Sequence, residues 1–176
     1  MSKKWRHIGI NALRSWLPGD ARGFRNRGHR LHSSGDYQNP PPPHEHEGLR
    51  RYVQSRARNP VQFSVQLRTI IGVTLIKTLQ AMQHRVLAVS VGKDHAHILT
   101  ELPNDISAIK SIIGQCKRRS SRAVKKWLPG SIWSAGGSYK RIKDRAHQLA
   151  VFDYILTKQG PGAWTWSFRN PLPDTA

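Results

Sequence analysis

The segment that most limits the fold is Arg85–Leu102, RVLAVSV-GKD-HAHILTEL. Two short β-rich runs flank Gly92-Lys93-Asp94, which is turn chemistry, so the segment reads as a hairpin and commits the chain to an antiparallel pair. Helical patterns lie on either side. Asn59-Pro60 supplies a cap followed by Pro at a first helical position. Phe63, Leu67, Ile70, Ile71, Leu75 and Leu79 then recur at helical spacing to about Gln83. Beyond Pro103, Ile106, Ile109, Ile113, Cys116, Ala123 and Trp127 share one face of a second helix, ended by Leu128-Pro129-Gly130. Ser131–Ile142, with its Gly136-Gly137 pair, reads as one or two strands. Asp144 can cap a third helix that runs to about Lys158 and stops at Gly160-Pro161-Gly162.

Leu49–Arg56 (LRRYVQSR) alternates weakly and is read as the first strand. The resulting order, β-α-β-β-α-β-α, predicts an α+β domain of ferredoxin-like type, an antiparallel sheet with helices. The domain is expected over 48–170, with 171–176 as a C-terminal tail. Residues 1–47 are rich in Arg, Gly, His and Ser and close on NPPPPHEHEG. They are expected to form a basic, extended or disordered tail, because such a stretch buries too little apolar surface to offset its ordering entropy.

Charge narrows the function. Lys and Arg total 29 against 10 Asp and Glu, a formal net charge of +19, which points to a polyanion such as nucleic acid. With no run of 18 apolar residues, no membrane partner or spanning helix is expected. A single cysteine, Cys116, excludes an internal disulfide and fits a reducing, cytoplasmic setting. Between Pro103 and Lys143 there are ten basic residues against one acid, Asp105. Lys110, Lys117, Arg118, Arg119, Arg122, Lys125 and Lys126 mostly avoid the apolar face of the second helix, and Lys140, Arg141 and Lys143 follow. Like charges three or four apart weaken a helix, and a phosphate backbone would relieve them. These residues are the candidate DNA-binding surface, expected to hold a single strand beside the candidate site.

That site starts from His95-Ala96-His97. In a strand the two imidazoles project to one side and Ala96 to the other. Paired imidazoles begin many divalent-metal sites; the alternative is one hydrogen-bonded histidine and one exposed. His44-Glu45-His46 has the same spacing but lies in a proline-rich stretch and is read as linker. Tyr154, on the third helix, is either an amphipathic packing residue or a nucleophile; a phenol, with a pKa near 10, needs a metal or base to attack phosphorus.

VLAVSVGKDHAHILTELP, the basic helix IKSIIGQCKRRSSRAVKKWLPG, SIWSAGGSYKRI and the helix AHQLAVFDYILTKQG occur in that order. Together they resemble the HUH endonucleases, specifically the single-tyrosine transposases of the smallest insertion sequences and the related REP-associated tyrosine transposases. The resemblance covers about residues 49–168. It implies metal-assisted transesterification of single-stranded, hairpin-bearing DNA by a homodimer. His95 and His97 would hold Mg²⁺ or Mn²⁺, and Tyr154 would form a 5′-phosphotyrosine link and release a 3′-hydroxyl. Relatives often place a third ligand, Gln, four residues after the tyrosine, where this chain has Lys158. Gln159, one residue on, lies roughly 140° around an ideal helix from Tyr154 and reaches the site only if the helix loosens before Gly160. His147, seven residues before Tyr154, is the runner-up ligand, and Glu101 is read as a rim charge. The departure motivates an alternative, a catalytically inactive or domesticated nucleic-acid-binding protein of the same fold. A third reading, an RNA-binding protein, leaves the histidine pair and the tyrosine helix without a role.

Overall fold

The computed structural model describes residues 2–24, 32–35, 38–56 and 59–174. They form β1 (Lys3–Asn11), α1 (Glu47–Arg56), α2 (Val65–Ala81), β2 (Val86–Val91), β3 (His95–Pro103), α3 (Ile106–Ala123), β4 (Ser138–Arg141), α4 (Arg145–Thr157) and β5 (Trp164–Ser167). Five strands make one sheet in the order β4-β1-β3-β2-β5, and every pairing is antiparallel. The hairpin read from the sequence is β2-β3, and its histidine strand is the middle of the sheet.

Alternation along β3 sorts the molecule into layers. Ala96, Ile98 and Leu102 face α2 and α3, where they join Ile8, Ile10, Val89, Val91, Leu75, Ile109, Ile113 and Trp166 in the main core. Leu99 faces the other way and packs with Ala88, Ile142, Val151 and Ile155 beneath α4. A register shift between Val86 and Ala88 lets both Val86 and Val89 reach the main core although they are three residues apart. Asp105 and Asp144 cap α3 and α4, each accepting from a backbone N–H in the first turn, Ala108 at 2.6 Å and His147 at 2.8 Å. Trp164 leans against α2 where Gly72 has no side chain; a Cβ there would stand 2.0 Å from the indole.

Three sequence expectations are corrected. Residues 1–47 are not all tail: Lys3–Asn11 is β1, an internal strand between β3 and β4. Its ladder hydrogen bonds and the burial of Ile8 and Ile10 offset the ordering cost that composition alone made prohibitive. Leu49–Arg56 is not the first strand but most of α1. There Leu49, Tyr52 and Val53 stand at helical spacing, and Glu47 pairs with Arg51 at 2.9 Å across one turn. Trp164–Ser167, not assigned as a strand, is edge strand β5 on β2.

Arg14–Pro60 is a second compact unit, while residues 1–13 and 61–176 form the first. Within the second, the Trp16 indole N–H donates to Gly23 O at 2.6 Å, and the Arg22 guanidinium lies 4.3 Å from the Trp16 ring while pairing with Asp20. Phe24 is buried edge-on to His46. Among the described residues, no helix is long and apolar enough to cross a membrane.

Removing residues 2–11 should abolish cooperative unfolding, since it leaves two internal ladders unpaired. Urea denaturation followed by circular dichroism reads this; a truncated chain that melts cooperatively would refute the assignment of β1 as structural.

Candidate active site on the tyrosine-helix face

Because β3 alternates, His95 and His97 leave the sheet on the face that α4 covers, and their ring centroids are 5.2 Å apart. Tyr154 comes from α4. Its ring stands edge-on to His97 with centroids 5.4 Å apart, and its side chain is 41% exposed. The tyrosine is therefore neither a core residue nor a remote one: it stands exposed beside His97.

Gln159 reaches the pair. α4 ends at Thr157, and Lys158, its C-cap, leaves helical geometry. The Gln159 amide then folds back, its Nε2–H donating to Tyr154 O at 2.9 Å. That bond fixes the amide orientation, so Oε1 points at His95 Nε2, 3.2 Å away. On the other side of the ring, His95 Nδ1 meets the Asp94 carboxylate at 2.8 Å. With Nδ1–H donated to Asp94, both His95 Nε2 and Gln159 Oε1 are acceptors, and the two require a proton or a cation between them. The loop that follows is anchored by Arg68, whose guanidinium donates to Phe63 O at 3.0 Å and to Gly162 O at 2.5 Å.

His147 is not part of this arrangement. Its Nδ1 accepts from Lys143 N at 3.2 Å at the opposite end of α4. Among the described residues no three His, Cys, Asp or Glu side chains converge as a metal-binding group. Glu101 forms a bidentate pair with the Arg85 guanidinium at 2.9 and 3.2 Å, a structural partnership.

One residue of the site was missed in the sequence. His7 of β1 points to the same face, and its Nε2 shares a hydrogen bond of 3.0 Å with His97 Nδ1. Its ring also stands edge-on to Tyr154, centroids 5.8 Å apart. Alternation in KKWRHIGIN was the available signal, obscured by the basic composition around it. Burial pushes the pKa of His97 down to about 3, helped by the neighbouring His7, His95 and Lys140. Burial likewise pushes His7 down to about 4, aided by Lys140 and His147. Both rings are neutral at pH 7.

The basic candidates divide between the two faces. α3 packs on the face opposite the histidines, so Lys110, Arg118, Arg119 and Arg122, with Lys125 and Lys126 beyond its end, do not belong to the histidine-bearing layer. The expectation that the cations of this helix hold a strand beside the site is thereby corrected, since the period of β3 sends Ala96 and Ile98 toward α3. These six residues are exposed, and Trp127 beside them is 54% exposed. Lys117 is half-buried, and its ammonium donates to Ser134 O at 2.8 Å and to Gly136 O, bracing the loop before β4. Lys140 pairs with His7 across the β1-β4 ladder and shares the site face, whereas Arg141 pairs with Arg6 on the other.

A sheet whose central strand presents two histidines to a tyrosine-bearing helix is the arrangement of the single-tyrosine HUH class. The family described as transposase IS200 like matches residues 52–157. The chain belongs to that family, for which DNA is the substrate and transposition the activity. A solved structure described as that of the REP-associated tyrosine transposase bound to a REP hairpin is similar, with 17% identity and a TM-score of 0.46, over 90% of this chain and 67% of that one. No curated protein matches.

The depressed histidine pKa values give the fold a pH dependence. In the unfolded chain His7 and His97 take up protons near pH 6.5; in the folded chain they resist until about pH 4 and 3. Stability is therefore fully present above pH 6.5 and lost as pH falls from there toward 4 and below. Thermal melts of metal-free protein should show this slope, and it should flatten in His7→Gln. A slope unchanged in that variant would contradict the assignment.

Proposed function

We propose that the protein cuts and rejoins single-stranded DNA through a covalent Tyr154 intermediate, with Mg²⁺ or Mn²⁺ held by His95, His97 and Gln159. The observation that carries this reading is the convergence of Tyr154 and Gln159 from α4 on the histidine pair of β3, with His95 Nε2 and Gln159 Oε1 facing each other at 3.2 Å. Gln159 answers the departure at Lys158: because α4 ends before it, the amide at +5 folds back to Tyr154 O and reaches His95. Imidazole nitrogen and amide oxygen are donors that Mn²⁺ accepts, while Mg²⁺ prefers all-oxygen sets; the donor chemistry fits a divalent ion and favours Mn²⁺.

When bound, such an ion polarises the scissile phosphate and offsets charge developing on its oxygens. The protein's own groups do the rest. Asp94 fixes the tautomer and orientation of His95. Tyr154, held edge-on to His97 and exposed, presents its hydroxyl oxygen to phosphorus. As the new O–P bond forms, the P–O3′ bond breaks; the phenolic proton is lost and the departing 3′ oxygen gains one. The product is a 5′-phosphotyrosine with a free 3′-hydroxyl, so bond energy is conserved and attack by another 3′-hydroxyl rejoins a strand. Lys140, on the same face, supplies a fixed positive charge for the phosphate path. The exposed cations of α3 and its C-terminal extension, with Trp127, would bind the hairpin-bearing part of the DNA, and a homodimer is the expected working assembly.

The test is an oligonucleotide with a hairpin and single-stranded flanks, incubated with Mn²⁺ or Mg²⁺. A covalent 5′ adduct should form with the wild type and vanish in Tyr154→Phe, while His97→Ala should lower cleavage by at least 100-fold. Cleavage undiminished in Tyr154→Phe would rule out the nucleophile. Replacing Arg118, Arg119 and Arg122 with Ala should weaken hairpin binding and its salt dependence yet spare cleavage at saturating DNA; equal loss of both would show that α3 does not act separately from the site.

A further inference from the structure

We propose that His7 is a positioning residue for His97, accepting the Nδ1–H of His97 on its own Nε2 and so leaving the Nε2 lone pair of His97 directed into the site. The inference deepens the reading of His97 as a metal ligand and rests on it.

The need for such a residue follows from β3 itself. His95 finds its orienting acceptor in the preceding residue, Asp94, through a 2.8 Å contact to Nδ1. His97 is preceded by Ala96, which carries no acceptor and points to the opposite face. The partner of His97 Nδ1 comes instead from the neighbouring strand β1. In the β1-β3 ladder Gly9 lies opposite His97 and His7 opposite Leu99, which sets His7 on the diagonal to His97 on the same face. Gly9 presents no side chain of its own there, and the two rings meet at 3.0 Å between His7 Nε2 and His97 Nδ1.

A hydrogen bond between two neutral imidazoles holds one proton, and its placement decides what His97 offers. If His7 donates, His97 carries its own proton on Nε2 and has no lone pair left for a cation. If His97 donates, its Nε2 is bare. Since Nδ1 is engaged in either case, Nε2 is the only nitrogen His97 can present. Metal-binding histidines commonly donate their other N–H to a fixed partner, usually a carboxylate or carbonyl. In this chain the partner is a second imidazole, restricted to the acceptor role when its own proton sits on Nδ1.

The full-length protein, free of metal at neutral pH, tests this through the tautomer of His97, read by two-bond proton–nitrogen correlation spectra of the imidazoles. The wild type should show the Nδ1–H form; an Nε2–H form overturns the proposal with no variant needed. In His7→Phe the His97 signal should shift toward the other tautomer, and Mn²⁺ affinity, measured by calorimetry without DNA, should fall about 10- to 100-fold. His7→Gln, which keeps an acceptor oxygen within reach, should recover most of both. An unchanged tautomer and affinity in a folded His7→Phe protein overturns the proposal. If Mn²⁺ binding is present and lost in His97→Ala but insensitive to His7, only the positioning role fails. If wild-type protein binds no Mn²⁺ while the His97 tautomer still depends on His7, the metal reading fails and the positioning role stands.

Discussion

The two-residue period of β3 governs the rest of the structure. The strand sits in the middle of the sheet, so each of its residues faces one of two helical layers, and its sequence assigns them without ambiguity. Ala96, Ile98 and Leu102 are apolar and enter the core with α2 and α3. His95 and His97 fall on the other side, where α4 covers the sheet only partly and leaves Tyr154 accessible. A one-residue slip would bury both imidazoles in the core and expose Ile98, so hydrophobic burial fixes the register and the register fixes the site.

This explains which parts of the molecule were legible in the sequence. The hairpin, the basic helix and the tyrosine helix with its Asp144 cap carry strong local periodicity or cap chemistry, and all are present. The helix expected from Asn59-Pro60 is present too, but it starts at Val65 with Ser64 as its N-cap, so the Asn-Pro cap expectation is corrected. His95, His97, Tyr154 and Gln159 come together because each lies on or directly beside one of those elements. What escaped was non-local. β1 is stabilised by strands about 90 and 130 residues away in the chain, and its own composition argues against order. His7 was hidden with it. α1 reads poorly as a helix because its three arginines and single Tyr-Val pair carry little periodic signal. The side of the sheet on which α3 lies cannot be read from charge, which marks a surface without saying what it faces.

The separation of the basic run from the histidine face is a second organising fact. The densest basic run lies on the α3 side, while Lys140 lies on the site face. Clustering all of that charge around His7 and His97 would penalise any protonation there further, and both rings are already held neutral by burial. With the exposed cations of α3 on the opposite face, the long-range positive field of the protein can be large without disturbing the two buried imidazoles.

The loop between Thr157 and Trp164 carries a less obvious implication. It begins at the site with Gln159 and ends in the core, where Trp164 fills the space left by Gly72 and Arg68 holds Gly162 O. Both anchors belong to α2, on the side of the sheet away from the histidines. Through six residues of backbone, the packing of that remote layer sets where the amide oxygen of Gln159 stands. The interior thus works as a lever on the centre: a methyl group added at position 72 would displace Trp164 and, through the loop it ends, shift the amide that faces His95.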